Sequence, residues 1–119
     1  MPQLLGTAYI KVDGDLLRSN PGAKIDLGGQ VREPVVGAGT VHGYAEKTKE
    51  ATVECEISLA KGDSLETIRS ITNATITFEC DTGQVYIVRH AFLTDPPVLS
   101  EGEGGKIPLK FAGMPAEEA

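Results

Sequence analysis

Asp81-Thr82-Gly83 is the triplet in this 119-residue chain with the clearest claim to chemistry. A retroviral-type aspartic protease uses one Asp-Thr-Gly from each of two chains to bring two carboxylates together over a shared proton. Here the flanks are Glu79-Cys80 before and Gln84 after, where such a site has apolar residues before the Asp and Ser or Ala after the Gly. The flap and the later apolar-apolar-Gly signature are missing as well. A tight turn between two strands accounts for the triplet fully, because Gly supplies the turn geometry and Asp its local hydrogen bonds. The other reactive residues are scattered. His42 lies in a glycine-rich stretch and His90 beside Arg89 in an apolar run, neither with a Cys or carboxylate at ligand spacing. Cys55 and Cys80 have no paired ligand spacing and no partner base, so they read as buried thiols. Gly28-Gly29 and Gly37-Ala38-Gly39 do not lead from a strand into a helix and cradle no phosphate. No catalytic, metal or cofactor site is expected. What remains is an acidic set, Glu54, Glu56, Glu79 and Asp81, which reads as a solvated outer face or as the lining of a channel.

The elements that position these residues show in the periodicity. From 51 to 59 the odd positions Ala51, Val53, Cys55, Ile57 and Leu59 are apolar, against Thr52, Glu54, Glu56 and Ser58. Ala74, Ile76, Phe78 and Cys80 repeat the pattern against Thr75, Thr77, Glu79 and Asp81. Such alternation marks strands with one buried and one wet face. Asp63-Ser64-Leu65-Glu66 has the form of a capping box, opening a helix of about two turns that buries Leu65, Ile68 and Ile71. Ala8, Ile10 and Val12 form another strand, turned back by Asp13-Gly14, a two-residue hairpin signal. Asn20-Pro21-Gly22 is a second turn, followed by a strand carrying Ala23, Ile25 and Leu27. Residues 85–93 are apolar on both faces, as in a central strand, and Ile107, Leu109 and Phe111 make the last one. The expectation is one mainly β domain over residues 1–119, a β-sandwich or partial barrel with one short α-helix. Two stretches escape the pattern. Residues 28–50 hold five glycines and Pro34 and read as an extended loop or arm, and 114–119 as a frayed tail.

Composition narrows the partners. The formal charge is −6, from 17 carboxylates against 11 cations, which argues against a nucleic-acid-binding surface. Apolar runs of two to four residues are far too short to span a membrane. The N-terminal residues lack the basic start and apolar core of a signal peptide, so synthesis in the cytoplasm is expected.

Four pieces of the chain carry a resemblance. They are 8–14 (Ala-Tyr-Ile-Lys-Val-Asp-Gly), Val41-His42-Gly43-Tyr44 leading into 52–57, the run from Ser64 through Asp81-Thr82-Gly83 to Asp95, and Gly105-Lys106-Ile107-Pro108-Leu109. In order and spacing the chain resembles the tail tube proteins of contractile-tailed, Mu-like phages. The termini and the 96–104 loop depart from the family. The resemblance implies a tail-tube-like β-sandwich that closes into homohexameric rings. The rings would stack into the inner tail tube, through which DNA is ejected without specific binding. It also implies contact with sheath, tape-measure and baseplate proteins, a place in the virion tail after synthesis in the host bacterial cytoplasm, and no catalytic site. Tube proteins of type VI secretion and related contractile injection systems share the fold and are the neighbouring alternative. On this reading Glu54, Glu56, Glu79 and Asp81 are candidates for the lumen. Val31, Val35, Val36, Val41 and Tyr44, in the stretch that relatives use as an arm or hairpin, are candidates for the contact between rings.

Overall fold

A computed structural model describes residues 2–17, 19–58, 65–99, 101–102 and 106–119. The alternating segments become the central strands: β1 (Ala8–Val12), β6 (Ala51–Ile57), β7 (Ala74–Cys80), β8 (Val85–Leu93) and β9 (Ile107–Gly113). Shorter pieces are β2 (Asp15–Leu16), β3 (Lys24–Asp26) and β10 (Glu117–Glu118), while β4 (Gly29–Gly37) and β5 (Thr40–Lys49) form a separate pair. The body is a curled antiparallel sheet in the order β2-β1-β7-β8-β9-β6-β3, with β10 also on β8. Inward residues from both halves meet in one core. Ile10, Val53, Ile76, Val88, Ile107 and Phe111 are its fully buried large side chains. Each such burial is worth roughly 1.5–3 kcal/mol.

Two local devices curl the sheet. Strand β8 pairs with β7 along its first part and with β9 only at Phe92 and Leu93. Between these lies a bulge: β7 advances from Ala74 to Ile76 while β8 advances from Ala91 back to Val88. His90 absorbs the extra residue at φ 53°, and its Nδ1 lies 2.8 Å from Asn73 Oδ1. An extra residue bends a strand, and a bent strand can serve two sheets. At the other side the segment after β2 bridges the gap. Leu17 N–H donates to the Ile10 carbonyl at 2.9 Å, Ser19 bridges Ile57, and Asn20 N–H donates to the Glu56 carbonyl at 2.6 Å. The result is a sandwich nearly closed into a barrel.

The Asp13-Gly14 turn has both residues at positive φ, 49° and 88°, as the primed turn of a two-residue hairpin requires. The helix is shorter than expected. It spans Glu66–Arg69, one turn, and Leu65, Ile68 and Ile71 still pack on the core. The Asp63 and Ser64 of the expected capping box lie outside the described residues. The tail is paired rather than frayed. Glu117 and Glu118 face Ile87 and Tyr86, and Ala116 N–H donates to the Leu27 carbonyl at 2.8 Å. Backbone pairing needs no side-chain pattern, which is why the sequence carried no sign of it.

Candidate functional site

The stretch read as a loop or arm is a long β-hairpin. Nine residues of β4 pair with β5, and the chain reverses at Ala38-Gly39. None of its residues joins the core, and both faces are open to solvent along nearly its whole length. It projects from the body. The radius of gyration is 17.5 Å, against about 13–14 Å for a compact chain of this length, and the longest dimension is 62 Å.

Register sorts the hairpin's side chains. Directly paired residues share a face and neighbours along a strand alternate. Val36 pairs with Val41, Pro34 with Tyr44 and Arg32 with Glu46, so these six lie on one face. Val31 and Val35 lie on the other, opposite Lys47 and Gly43. The five candidate contact residues are therefore split three and two. All are exposed, Val36 at 66%, Val41 and Tyr44 at 64%, Val35 at 47% and Val31 at 40%. The Arg32 guanidinium sits 5.8 Å from the Tyr44 ring centre and 3.4 Å from Glu46. Ion pairs thus occupy the base of the arm while its tip is apolar. At the root, Lys49 Nζ lies 2.8 Å from Asp26 Oδ2, and Gly28 N–H donates to Asp26 Oδ1 at 3.0 Å. Gly28 has φ 67°, and a Cβ there would fall 2.7 Å from the Ala51 nitrogen. Only glycine fits this junction.

The four acidic candidates are spread over two non-adjacent strands and a turn. Glu54 and Glu56 lie on the outer face of the β6–β9 side, Glu79 on the outer face of the β7–β8 side, and Asp81 in the turn between β7 and β8. Each also has a partner. Glu54 is in register with Lys24 and Lys110, the latter 3.7 Å away. Glu56 accepts from Asn20 Nδ2 at 3.2 Å, and Glu79 pairs with Lys11 at 3.0 Å. The cations come from strands distant in sequence, so one strand's pattern could not show the balance.

Asp81 holds the N-terminal strap. Its carboxylate accepts from Gly6 N–H at 3.3 Å and Thr7 N–H at 3.0 Å, while Asp81 N–H donates to the Thr7 carbonyl at 2.9 Å. Gly83, at φ 102°, closes the turn by donating to the Cys80 carbonyl at 3.0 Å. The triplet that suggested a protease dyad is thus a hairpin turn with a backbone clamp, and the clamp was invisible in the sequence. Burial pushes the Cys55 thiol up to about 11, so at neutral pH it is not a thiolate nucleophile. No cluster of three metal-ligating side chains occurs among the described residues.

A family model described as phage tail tube protein matches residues 1–118. The chain belongs to the phage tail tube family. It is 40% identical to the Mu-like prophage FluMu tail tube protein of Haemophilus influenzae over 113 residues, covering 94% of this chain and 92% of that one. It is 36% identical to the tail tube protein of Escherichia phage Mu over 107 residues, covering 90% and 87%. Solved structures agree on the tail-tube fold. The chain matches a subunit of the PVC extracellular contractile injection system's sheath–tube complex with a TM-score of 0.65 at 14% identity, covering 94% of this chain and 87% of that one. It matches the cap that terminates the anti-feeding prophage tube with a TM-score of 0.71 at 11% identity, covering 100% and 93%. This is a tail tube protein of the Mu-like kind, a structural component of a phage tail.

Proposed function

We propose that copies of this chain close into hexameric rings and that the rings stack, through the β4–β5 arm, into the inner tube of a contractile tail. The observation that carries this is the arm. An isolated two-stranded hairpin is marginally stable in water. This one presents Val36, Val41 and Tyr44 to solvent with no core of its own. Covering those side chains against another copy is worth on the order of 1–2 kcal/mol each. The protein acts by assembly and catalyses nothing. It is made in the host bacterial cytoplasm and ends in the virion tail, against sheath, tape-measure and baseplate proteins. DNA passes through during ejection without specific binding. A net charge of −6 per copy suits a wall that DNA must slide past. Glu54, Glu56, Glu79 and Asp81 are the candidate acidic residues for the lumen, each held by a partner within its own copy. A secretion-type tube is the second reading, favoured by the likeness to contractile injection systems. The phage and prophage relatives at 36–40% identity favour the first.

The test replaces residues 33–44 with a short Gly/Ser linker and compares the product with the parent chain by negative-stain microscopy and thermal melting. The expected product is folded, melts as the parent does and forms no tubes. Unfolding would place the arm in the core, and persistent tubes would place the stacking surface elsewhere.

A further inference from the structure

The stacking reading requires an acceptor for the arm, and the geometry points to one. The arm of one copy seats its tip in the apolar groove between residues 5–9 and residues 16–17 and 19–23 of a copy in the adjoining ring. This inference rests on the stacking reading and names the surface it uses. Its first support is matched chemistry. Between Glu33 and Glu46 the arm carries no Asp, Glu, Lys or Arg. The groove, of about 590 Å³, is lined by Leu5, Tyr9, Leu16, Leu17, Pro21 and Phe78 among others, and among the described residues none of its lining is charged. Leu5, Tyr9 and Leu16 are exposed there. Another depression, of about 500 Å³, has Lys24, Glu54, Glu56, Asp95 and Lys110 in its lining, among apolar residues such as Val98 and Leu109. An uncharged hairpin seated in it would strip water from five ionic groups and give nothing in return.

The second support is position. The arm springs from Lys49, two residues before Ala51 at the start of β6. The groove's Ser19 and Asn20 are fastened to Ile57 and Glu56, at the other end of the same strand. Six residue steps along a strand separate the two by about 20 Å. A projection at one end and a socket at the other are not self-complementary. Every junction leaves a fresh projection and a fresh socket, so the contact propagates head to tail as an open stack.

Leu16→Glu places a carboxylate in the groove on an exposed strand. The expected chain is folded, melts like the parent and yields at least tenfold fewer tubes by negative stain and sedimentation. Mixed with the chain whose residues 33–44 are replaced, which keeps its groove, it gives paired rings and no longer stacks. Val98→Glu, in the lining of the charged depression, leaves tube yield at the parent level. Tubes from Leu16→Glu, with none from the arm-replaced chain, would overturn the groove in favour of another acceptor while the arm reading stands. Tubes from both would overturn the arm reading too. If Leu16→Glu fails to fold, Leu16→Cys combined with Val36→Cys decides. Oxidation of assembled material then gives a ladder of disulfide-linked copies absent from either single variant, and no ladder overturns the proposal.

Discussion

Strands β5 and β6 are separated by a single residue, Glu50, yet they are built on opposite principles. In β6 every second residue is buried, and its register with β9 is continuous from Ala51 to Ile57. In β5 all ten residues are exposed, and the register breaks beside Val35 and Val36. The first strand is ordered by its own chain, because Ala51, Val53, Cys55 and Ile57 are buried in the core. The second is ordered only by backbone pairing with β4 and by a few ion pairs near its root. A strand of that kind gains its burial when another molecule covers it. One chain thus holds a body that folds alone and an arm whose packing is supplied from outside.

The largest effects belong in the body. Phe111→Ala is expected to cost about 3–5 kcal/mol, since it opens a cavity among fully buried neighbours. Val41→Ala on the arm should stay within about 0.5 kcal/mol in the unassembled chain. Denaturant titration followed by circular dichroism measures both, and similar losses at the two positions would erase the distinction.

A smaller effect is expected at the β7–β8 turn, which belongs to the body without lying in its core. Asp81→Asn leaves one oxygen to serve the two amides of Gly6 and Thr7. The expected loss is about 1 kcal/mol, a few degrees in thermal melting, with fold and assembly kept. Collapse of the fold would show that this turn is part of the core nucleus. Peptide cleavage abolished by the same change would revive the protease reading.

The smallest effect sits at the arm's root. The hydrogen bond from Lys49, then that from Gly28, holds the Asp26 carboxyl below its usual 3.8, and the same contact raises Lys49 above 10.5. For Asp26 the contribution is present above pH 3.8 and fades as pH falls through the lower folded value. For Lys49 it is present below pH 10.5 and fades as pH rises beyond the folded value. Both groups are exposed, so the global melting temperature should hardly move. Amide chemical shifts at Gly28 should follow the acid limb, and Asp26→Asn should abolish that limb. A titration unchanged by the substitution would remove the clamp from the account.

The same contrast explains what the sequence revealed. Strands β1, β6, β7 and β9 were legible because burial on one face imposes alternation, and Asp13-Gly14 named its turn. The arm was not legible as strands, because a hairpin wet on both faces is under no such pressure. Its glycines marked only an extended loop or arm, and the resemblance added the hairpin. The bulge at His90 left no trace, since no glycine marks it. The acidic face looked uniform because Lys11, Lys24 and Lys110, which balance it, lie on other strands. The five candidate contact residues were named together from their place in one stretch, but their division between two faces depends on a register that sequence does not supply.

Hydrogen exchange of the amides in residues 29–49, compared between unassembled protein and tubes, tests the central claim most directly. Each form is referred to the amides of β6 and β9. The account predicts arm amides that exchange orders of magnitude faster than those of β6 in the unassembled chain and become comparably protected in tubes. Arm amides already as protected as β6 before assembly would show that the hairpin is stabilised by its own body, and would contradict the account.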